Sequence, residues 1–314
     1  MVGLPKIIMP TIENVFDYYE KNSGDWRRNH LGASLIGKPC ERELWYTFRW
    51  CLKPDYSGRL LRLFETGNKQ EPRIIKNLRD IGCTVYSVDP DTGIQIHYES
   101  FGGHFAGNLD GIGRGFEESK AWHVIEIKTS NTKRFNELCK KGVESANYPH
   151  YAQMQMYMDW SGLDRAYYFC VNKETDDIYG ERVRKDSKLI TNLHNKAERI
   201  IFSDIPGECI SDSTTVFTCK FCNYRELCNG KLLPEVSCRT CAHASVERNG
   251  TWSCKGNKIC SYQQRIACDK HVFLPSVVPL QQTDADEKLG TITYGNIVNG
   301  PGNIASVDLH RYMP

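Results

Sequence analysis

Gly107-Asn108-Leu109-Asp110-Gly111, followed by Val124-Ile125-Glu126-Ile127-Lys128, is the pair of segments on which the fold turns. Between them, Gly113 to Lys120 is rich in glycine and charge, which predicts a hairpin loop and makes the flanking segments antiparallel neighbours. Side chains alternate across a strand, so Glu126 and Lys128 share one face while Ile125 and Ile127 share the other. One face packs. The other brings two carboxylates, Asp110 and Glu126, and an ammonium into one cleft, a donor set suited to a hard divalent cation.

An Asp, a gap and then Glu-x-Lys on a strand pair resembles the PD-(D/E)XK phosphodiesterase superfamily. In Tyr151-Ala152-Gln153-Met154-Gln155-Met156-Tyr157, the pair Gln153 and Tyr157 matches the Gln-x-x-x-Tyr signature of the RecB-like branch. Their i,i+4 spacing places both on one helix face. Upstream, Phe64-Glu65-Thr66-Gly67-Asn68-Lys69-Gln70-Glu71 is similar to the family's first helical motif, where a Glu or His completes the metal site. The resemblance implies an α/β fold with a restriction-endonuclease-like core, a mixed central sheet flanked by helices. The plainer alternatives are a solvated strand face for Glu126 and Lys128 and two ordinary half-buried helix residues for Gln153 and Tyr157.

The resemblance also implies roles. Asp110, Glu126 and Glu71, with the Ile127 carbonyl, would coordinate one or two Mg2+ or Mn2+ ions, and Lys128 would position or activate the attacking water. Gln153 and Tyr157 would hold the substrate strand or orient Lys128, while Gln155 faces another direction and serves packing or the surface. Glu65 is a weaker ligand candidate than Glu71, because six positions along a helix turn it well away. Where the iron-sulfur subgroup linked to CRISPR adaptation has a His in the first motif, this chain has Glu71, which is closer to phage recombination exonucleases such as lambda exonuclease.

Composition is compatible with this reading and adds little. With 314 residues, 40% of them hydrophobic, the chain can bury one large core and a small appendage. Lys plus Arg at 40 against Asp plus Glu at 38 leaves a formal charge of +2, so a nucleic-acid groove must come from local clustering. The candidates are Arg27 and Arg28; Arg59, Arg62, Lys69 and Arg73; and Lys133, Arg134, Lys140 and Lys141. No stretch has the apolar length of a membrane span, and no secretory signal pattern opens the sequence, so a cytoplasmic protein of a bacterial or phage-infected cell is expected.

Fourteen cysteines in so long a chain point to metal or redox chemistry more than to a disulfide scaffold. Cys219, Cys222 and Cys228 form a C-x2-C-x5-C triplet that wants a fourth thiolate. Cys40, in Pro39-Cys40-Glu41-Arg42-Glu43-Leu44-Trp45-Tyr46, is similar to the N-terminal segment of the iron-sulfur subgroup of RecB-like nucleases. In that subgroup one cysteine before the core and three after it hold a 4Fe-4S cluster, and such a cluster here would staple segments about 180 positions apart. Zinc would satisfy the same ligands. Alternatively Cys40 is a buried apolar thiol and the triplet finds its fourth ligand further on.

A second set follows. Cys238-x-x-Cys241, then Cys254, Cys260 and Cys268, has the spacing of a structural Zn2+ site, with Cys238, Cys241, Cys254 and Cys268 as the chosen ligands and His243, Cys260 and His271 as alternates. The expected organisation is a nuclease domain over 1–232 closed by the iron-sulfur staple, a zinc-binding module over 233–280 and a flexible tail over 281–314.

The apolar periodicity predicts helices over 10–20, 41–51, 57–80, 132–141, 149–161 and 185–203, with Pro72 interrupting the third. Strands are expected near 84–88, 94–98, 103–112, 123–129, 165–172 and 178–183. The function that the resemblance implies is a metal-dependent DNA exonuclease acting on ends or single strands in recombination, repair or phage DNA metabolism. A structure-specific or nonspecific endonuclease would share every residue named. A non-catalytic DNA-binding module is the alternative of another class, against which the intact acidic residues and Lys128 speak.

Overall fold

A computed structural model describes residues 9–211 and 216–300. The N-terminal half contributes α1 (Pro10–Lys21), β1 (Leu31–Gly32), α2 (Glu41–Phe48), α3 (Gly58–Asp80), β2 (Thr84–Tyr86), β3 (His97–Ser100), β4 (Phe105–Asn108), β5 (Gly111–Arg114) and β6 (His123–Ser130). Then come α4 (Thr132–Ala146), α5 (Tyr148–Ser161), β7 (Arg165–Asn172), β8 (Ile178–Arg184) and α6 (Ser187–Phe202). The fold is mixed α/β, with a five-stranded sheet in the order β2-β5-β6-β7-β8.

β5 and β6 pair antiparallel, with Gly111 opposite Ile125, as the glycine-rich loop between them demands. β6 and β7 pair parallel, a connection that requires a long crossover, and α4 with α5 supplies it. The alternation along β6 is realised. Ile125 and Ile127 pack with Phe169 and Val171 under Ile74, Ile75 and Leu78 of α3, whereas Val124, Tyr168 and Cys170 join a second, larger core on the opposite face. α5 runs through that larger core, and every residue from Ala152 to Met158 is buried.

Three expectations are corrected. α3 runs unbroken through Pro72. The proline frees the carbonyl of Asn68, and both residues lie at the exposed side of the helix, where water can take that carbonyl. The single strand expected over 103–112 is two strands in different sheets: β4 lies between β1 and β3, while β5 belongs to the large sheet. The chain crosses between sheets at Leu109-Asp110, with Leu109 fully buried and bonded through its amide to Ile96.

The third correction concerns the stretch after residue 281, expected to be an irregular tail. It carries β12 (Asp284–Asp286), β13 (Thr291–Tyr294) and β14 (Ile297–Asn299) in one antiparallel sheet. Gly290 and Gly295, at φ +67° and +64°, make the two reversals. Tyr294 and Ile297 face each other across a Gly-Asn two-residue loop, a hairpin signal legible in the sequence. Residues 301–314 of the expected tail lie outside the described residues.

Before that sheet, α7 (Phe217–Lys220) and α8 (Arg225–Cys228) precede β9 (Ala244–Val246), β10 (Trp252–Cys254) and β11 (Asn257–Ile259), then α9 (Ser261–Ile266). Trp252 and Phe273 belong to the same core cluster as Phe48 and Phe105, so the cysteine-rich segment packs into the main body. Among the described residues no helix is long and apolar enough to cross a membrane.

Candidate functional site

Where the chain passes from β4 to β5, Asp110 stands outside both ladders, beside the middle of β6. Its Oδ2 accepts a hydrogen bond from the Ile127 amide at 2.6 Å. On β6, Glu126 is fully buried and ion-paired through Oε1 with Lys128, whose side chain is 26% exposed. The Glu126 Oε2 meets no hydrogen-bond donor among the described residues. Glu71, on α3, opens onto the same cavity: Glu71, Asp110, Ile127 and Lys128 all line one cleft of about 1010 Å³, and Glu126 is buried behind it. The solvated-strand alternative for Glu126 is excluded by its burial.

The crowding of acids is visible in their proton affinities. Burial lifts Glu71 to about 7, the Asp110 carboxylate adds to this, and Lys128 opposes it. Burial raises Glu126 as well, against the attraction of Lys128, with the Asp110 and Glu71 charges reinforcing the rise. Burial works against the Lys128 charge, but Glu126 and Asp110 outweigh it and hold its pKa above the ordinary lysine value. A buried carboxylate oxygen without a donor, beside two further carboxylates, costs free energy unless a proton or a cation meets it. The donor set is all hard oxygen, which fits Mg2+ or Mn2+. Among the described residues, however, no three Asp, Glu, His or Cys side chains close on one point as a coordination shell would. Asp110 is instead engaged by the Ile127 amide and Glu126 by Lys128, so ligation requires both carboxylates to exchange these partners for the ion.

Gln153 and Tyr157 do share one face of α5, but they lie beneath the cleft and do not line it. Gln153 Nε2 donates to the Tyr157 hydroxyl at 3.1 Å, and that hydroxyl donates to the Asn108 carbonyl at 2.8 Å. The pair therefore supports the end of β4, two residues before Asp110. Gly107 makes room for it, since a Cβ there would stand 2.7 Å from the Tyr157 hydroxyl. Gln155 is fully buried and spans Arg184 and Asp186, a packing role. Glu65 bonds Tyr19 and Lys69 and does not line the cleft.

Of the expected basic surfaces, Arg28 and Arg134 line the cleft, joined by Lys173, which sequence reasoning missed. Others are neutralised locally: Arg73 by Asp176, Lys69 by Glu65 and Lys141 by Glu137. Also missed were Trp26, Tyr56 and Phe64, three mutually edge-on aromatics on the cleft wall, and His150, which meets the Tyr168 hydroxyl at 2.8 Å. No periodicity marks these residues, since they come from loops and from different helices.

The cysteines fall into two neighbourhoods. Cys40, Cys219, Cys222 and Cys228 surround one cavity of about 220 Å³, together with Cys209, which sequence reasoning passed over. The Cys40 thiolate position caps α2, accepting from the Glu43 amide at 3.4 Å, and Arg42 reaches Cys228 Sγ at 3.8 Å. In the second neighbourhood burial pushes the Cys238 thiol up to about 12, and Cys241, Cys268 and Cys254 are near enough to add to the rise. Of the alternates, Cys260 caps α9 and His271 contacts Thr240 and Phe273. Neither set is closed into a coordination shell among the described residues.

No protein-family model matches the sequence, and no curated protein matches it. Among solved structures, an alkaline exonuclease from Laribacter hongkongensis is similar at TM-score 0.41 and 17% identity, over 60% of this chain and 90% of its own. The same enzyme in complex with dAMP gives 0.41 at 18%, over 60% and 90%. A phage-related exonuclease from Haemophilus somnus gives 0.31 at 17%, over 42% and 66%. Likenesses this loose leave the function to rest on the site itself.

Proposed function

We propose that the protein is a metal-dependent deoxyribonuclease that hydrolyses phosphodiester bonds from DNA ends or single strands. The observation that carries this reading is that Asp110, Glu71 and Lys128 line one cleft while the buried, donor-poor Glu126 pairs with Lys128 behind it. Asp110, Glu71, Glu126 and the Ile127 carbonyl would hold one or two Mg2+ or Mn2+ ions. When bound, the ion supplies Lewis-acid polarisation of the phosphate and a lowered pKa for the attacking water. Lys128 offsets the charge that builds on the phosphate oxygens and orients the water through Nζ. Tyr157 and Gln153 fix the β4 end that carries Asp110. Arg28, Arg134 and Lys173 attract the phosphate backbone to the cleft.

The test uses purified full-length protein with Mg2+ or Mn2+ and labelled DNA. Linear DNA is degraded and a closed circle spared, and Lys128→Ala stops the reaction with the fold intact. Cleavage of the circle would make the enzyme an endonuclease. Salt-sensitive DNA binding without cleavage of any substrate would leave a binding module.

We further propose two structural thiolate sites. Cys40, Cys219, Cys222 and Cys228 would hold a 4Fe-4S cluster, a reading supported by their shared cavity. Cys238, Cys241, Cys254 and Cys268 would hold Zn2+, supported by their mutual proximity within a segment too short for a core of its own.

A further inference from the structure

The cleft wall includes an irregular strap, residues 25–30, from which Trp26 and Arg28 face the cavity. No strand ladder or helix holds this strap. Its backbone is instead gripped by side chains at three successive carbonyls. Arg265 donates to the Arg27 carbonyl at 3.4 Å, Trp50 Nε1 to the Arg28 carbonyl at 2.7 Å and Arg239 to the Asn29 carbonyl at 2.9 Å. Two of the three donors come from the cysteine-rich segment, more than two hundred positions along the chain.

Arg239 is unusual in its own right. It is 1% exposed and has no carboxylate partner among the described residues. A guanidinium buried without an acid is costly unless its donors are satisfied. All its bonds go to neutral acceptors: Nε to Gln264 at 3.0 Å, one NH2 group to Phe48 at 2.8 Å and the other to Asn29. The plane lies 3.7 Å from the Trp50 ring centroid, and Phe48 and Trp252 are also within cation-π range. Trp50 is held at φ +55°, a conformation that costs free energy in a bulky residue and persists only where its surroundings enforce it. Arg27 and Arg265 also stack on Trp50, and Arg265 pairs with Asp25 at 3.4 Å. One buried arginine thus joins three pieces: the end of α2, the strap, and α9 of the cysteine-rich segment.

We propose that Arg239 and Arg265 are positioning residues through which the cysteine-rich segment sets the strap and hence the substrate-binding wall of the cleft. Arg239 lies inside the Cys238-x-x-Cys241 turn, so closure of those thiols fixes the arginine that fixes the wall. Only the kinetic arm of the test rests on the nuclease reading.

The strap contains its own protease sites, Arg27 and Arg28. In the full-length chain, Arg265→Ala should speed trypsin cleavage there by about tenfold, read by mass spectrometry, while Arg265→Lys, which keeps the Asp25 pair, stays near the parent rate. With a short single-stranded oligonucleotide and Mn2+, KM should rise several-fold in Arg265→Ala with kcat within about twofold, a split that general loss of fold would not give. Arg239→Gln should do the same more strongly, and Arg265→Ala, at a part-exposed site, decides the matter if that variant does not fold. An unchanged cleavage rate at the strap in Arg265→Ala overturns the proposal, as does a loosened strap with unchanged KM. A parent protein that cuts no DNA would refute the nuclease reading, and the trypsin arm would still decide this one.

Discussion

The Ile127 amide donates to the Asp110 carboxylate at 2.6 Å, so the residue that follows Glu126 on β6 anchors the acid that ends the β4 to β5 crossing. Asp110 is thereby aimed along β6. Asp110→Asn keeps a side chain of the same shape and removes its charge. We expect metal-dependent cleavage to fall by at least about a hundredfold in this variant and in Lys128→Ala, with the circular dichroism spectrum preserved. Lys128→Ala leaves Glu126 buried, but burial already lifts that carboxyl toward its neutral form, so the fold tolerates the change. Parent-like cleavage in either variant would remove that residue from the mechanism.

The Tyr157 hydroxyl supports the Asn108 carbonyl from below. Tyr157→Phe should cost about 1 kcal/mol in urea denaturation and lower cleavage, although the residue does not line the cleft. Gly107→Ala should cost about 1–3 kcal/mol, because the new Cβ stands 2.7 Å from the Tyr157 hydroxyl and 3.0 Å from the Ala33 Cβ. A neutral Gly107→Ala would show that the packing there yields freely.

Burial holds His150 at about 3 and His30 at about 4, with nearby cationic side chains reinforcing both. Each is neutral in the fold and takes a proton more readily when unfolded, near its ordinary value of 6.5. Between those limits the unfolded histidines bind more protons, so their contribution to stability is full above about pH 6.5 and is lost as pH falls toward 4. Glu71 and Glu126, raised in the fold, act in the opposite sense. We expect His150→Gln to lower the slope of melting temperature against pH between 5 and 7. An identical slope in the variant would assign the acid sensitivity to other groups.

Thiol chemistry separates the two cysteine neighbourhoods. Anaerobically purified protein should show a broad visible absorption lost on reduction, and Cys222→Ser should abolish it. Metal analysis should count about one zinc per chain, reduced by Cys254→Ser and unaffected by Cys260→Ser, which lies outside the four proposed ligands. Zinc alone, without the visible band, would reassign the first set.

Much of this was legible in the sequence because it is local. The alternation over Val124 to Lys128 carries both the sheet's packing face and its acidic face, and the hairpin before it brings Asp110 alongside. Glu71 was singled out by the resemblance of Phe64 to Glu71 to a family motif, and its helix continues through Pro72 although the proline argued for a break. The position of Gln153 and Tyr157 beneath the cleft was not legible, because i,i+4 spacing gives a face but not whether that face meets a cleft or the underside of a strand. Arg239 was the least readable residue of all. Nothing near Cys238-Arg239-Thr240-Cys241 announces that its guanidinium will reach Asn29, a pairing that only the tertiary fold creates.

The bond from Arg239 to Asn29 has a temporal consequence. A ribosome makes the strap and the acidic residues long before the arginine that braces them, with 210 positions between the two partners. The cleft wall is therefore completed late in synthesis, and a chain released early would carry Asp110, Glu126 and Lys128 without the brace. Under the proposed function, such prematurely terminated products should bind DNA poorly.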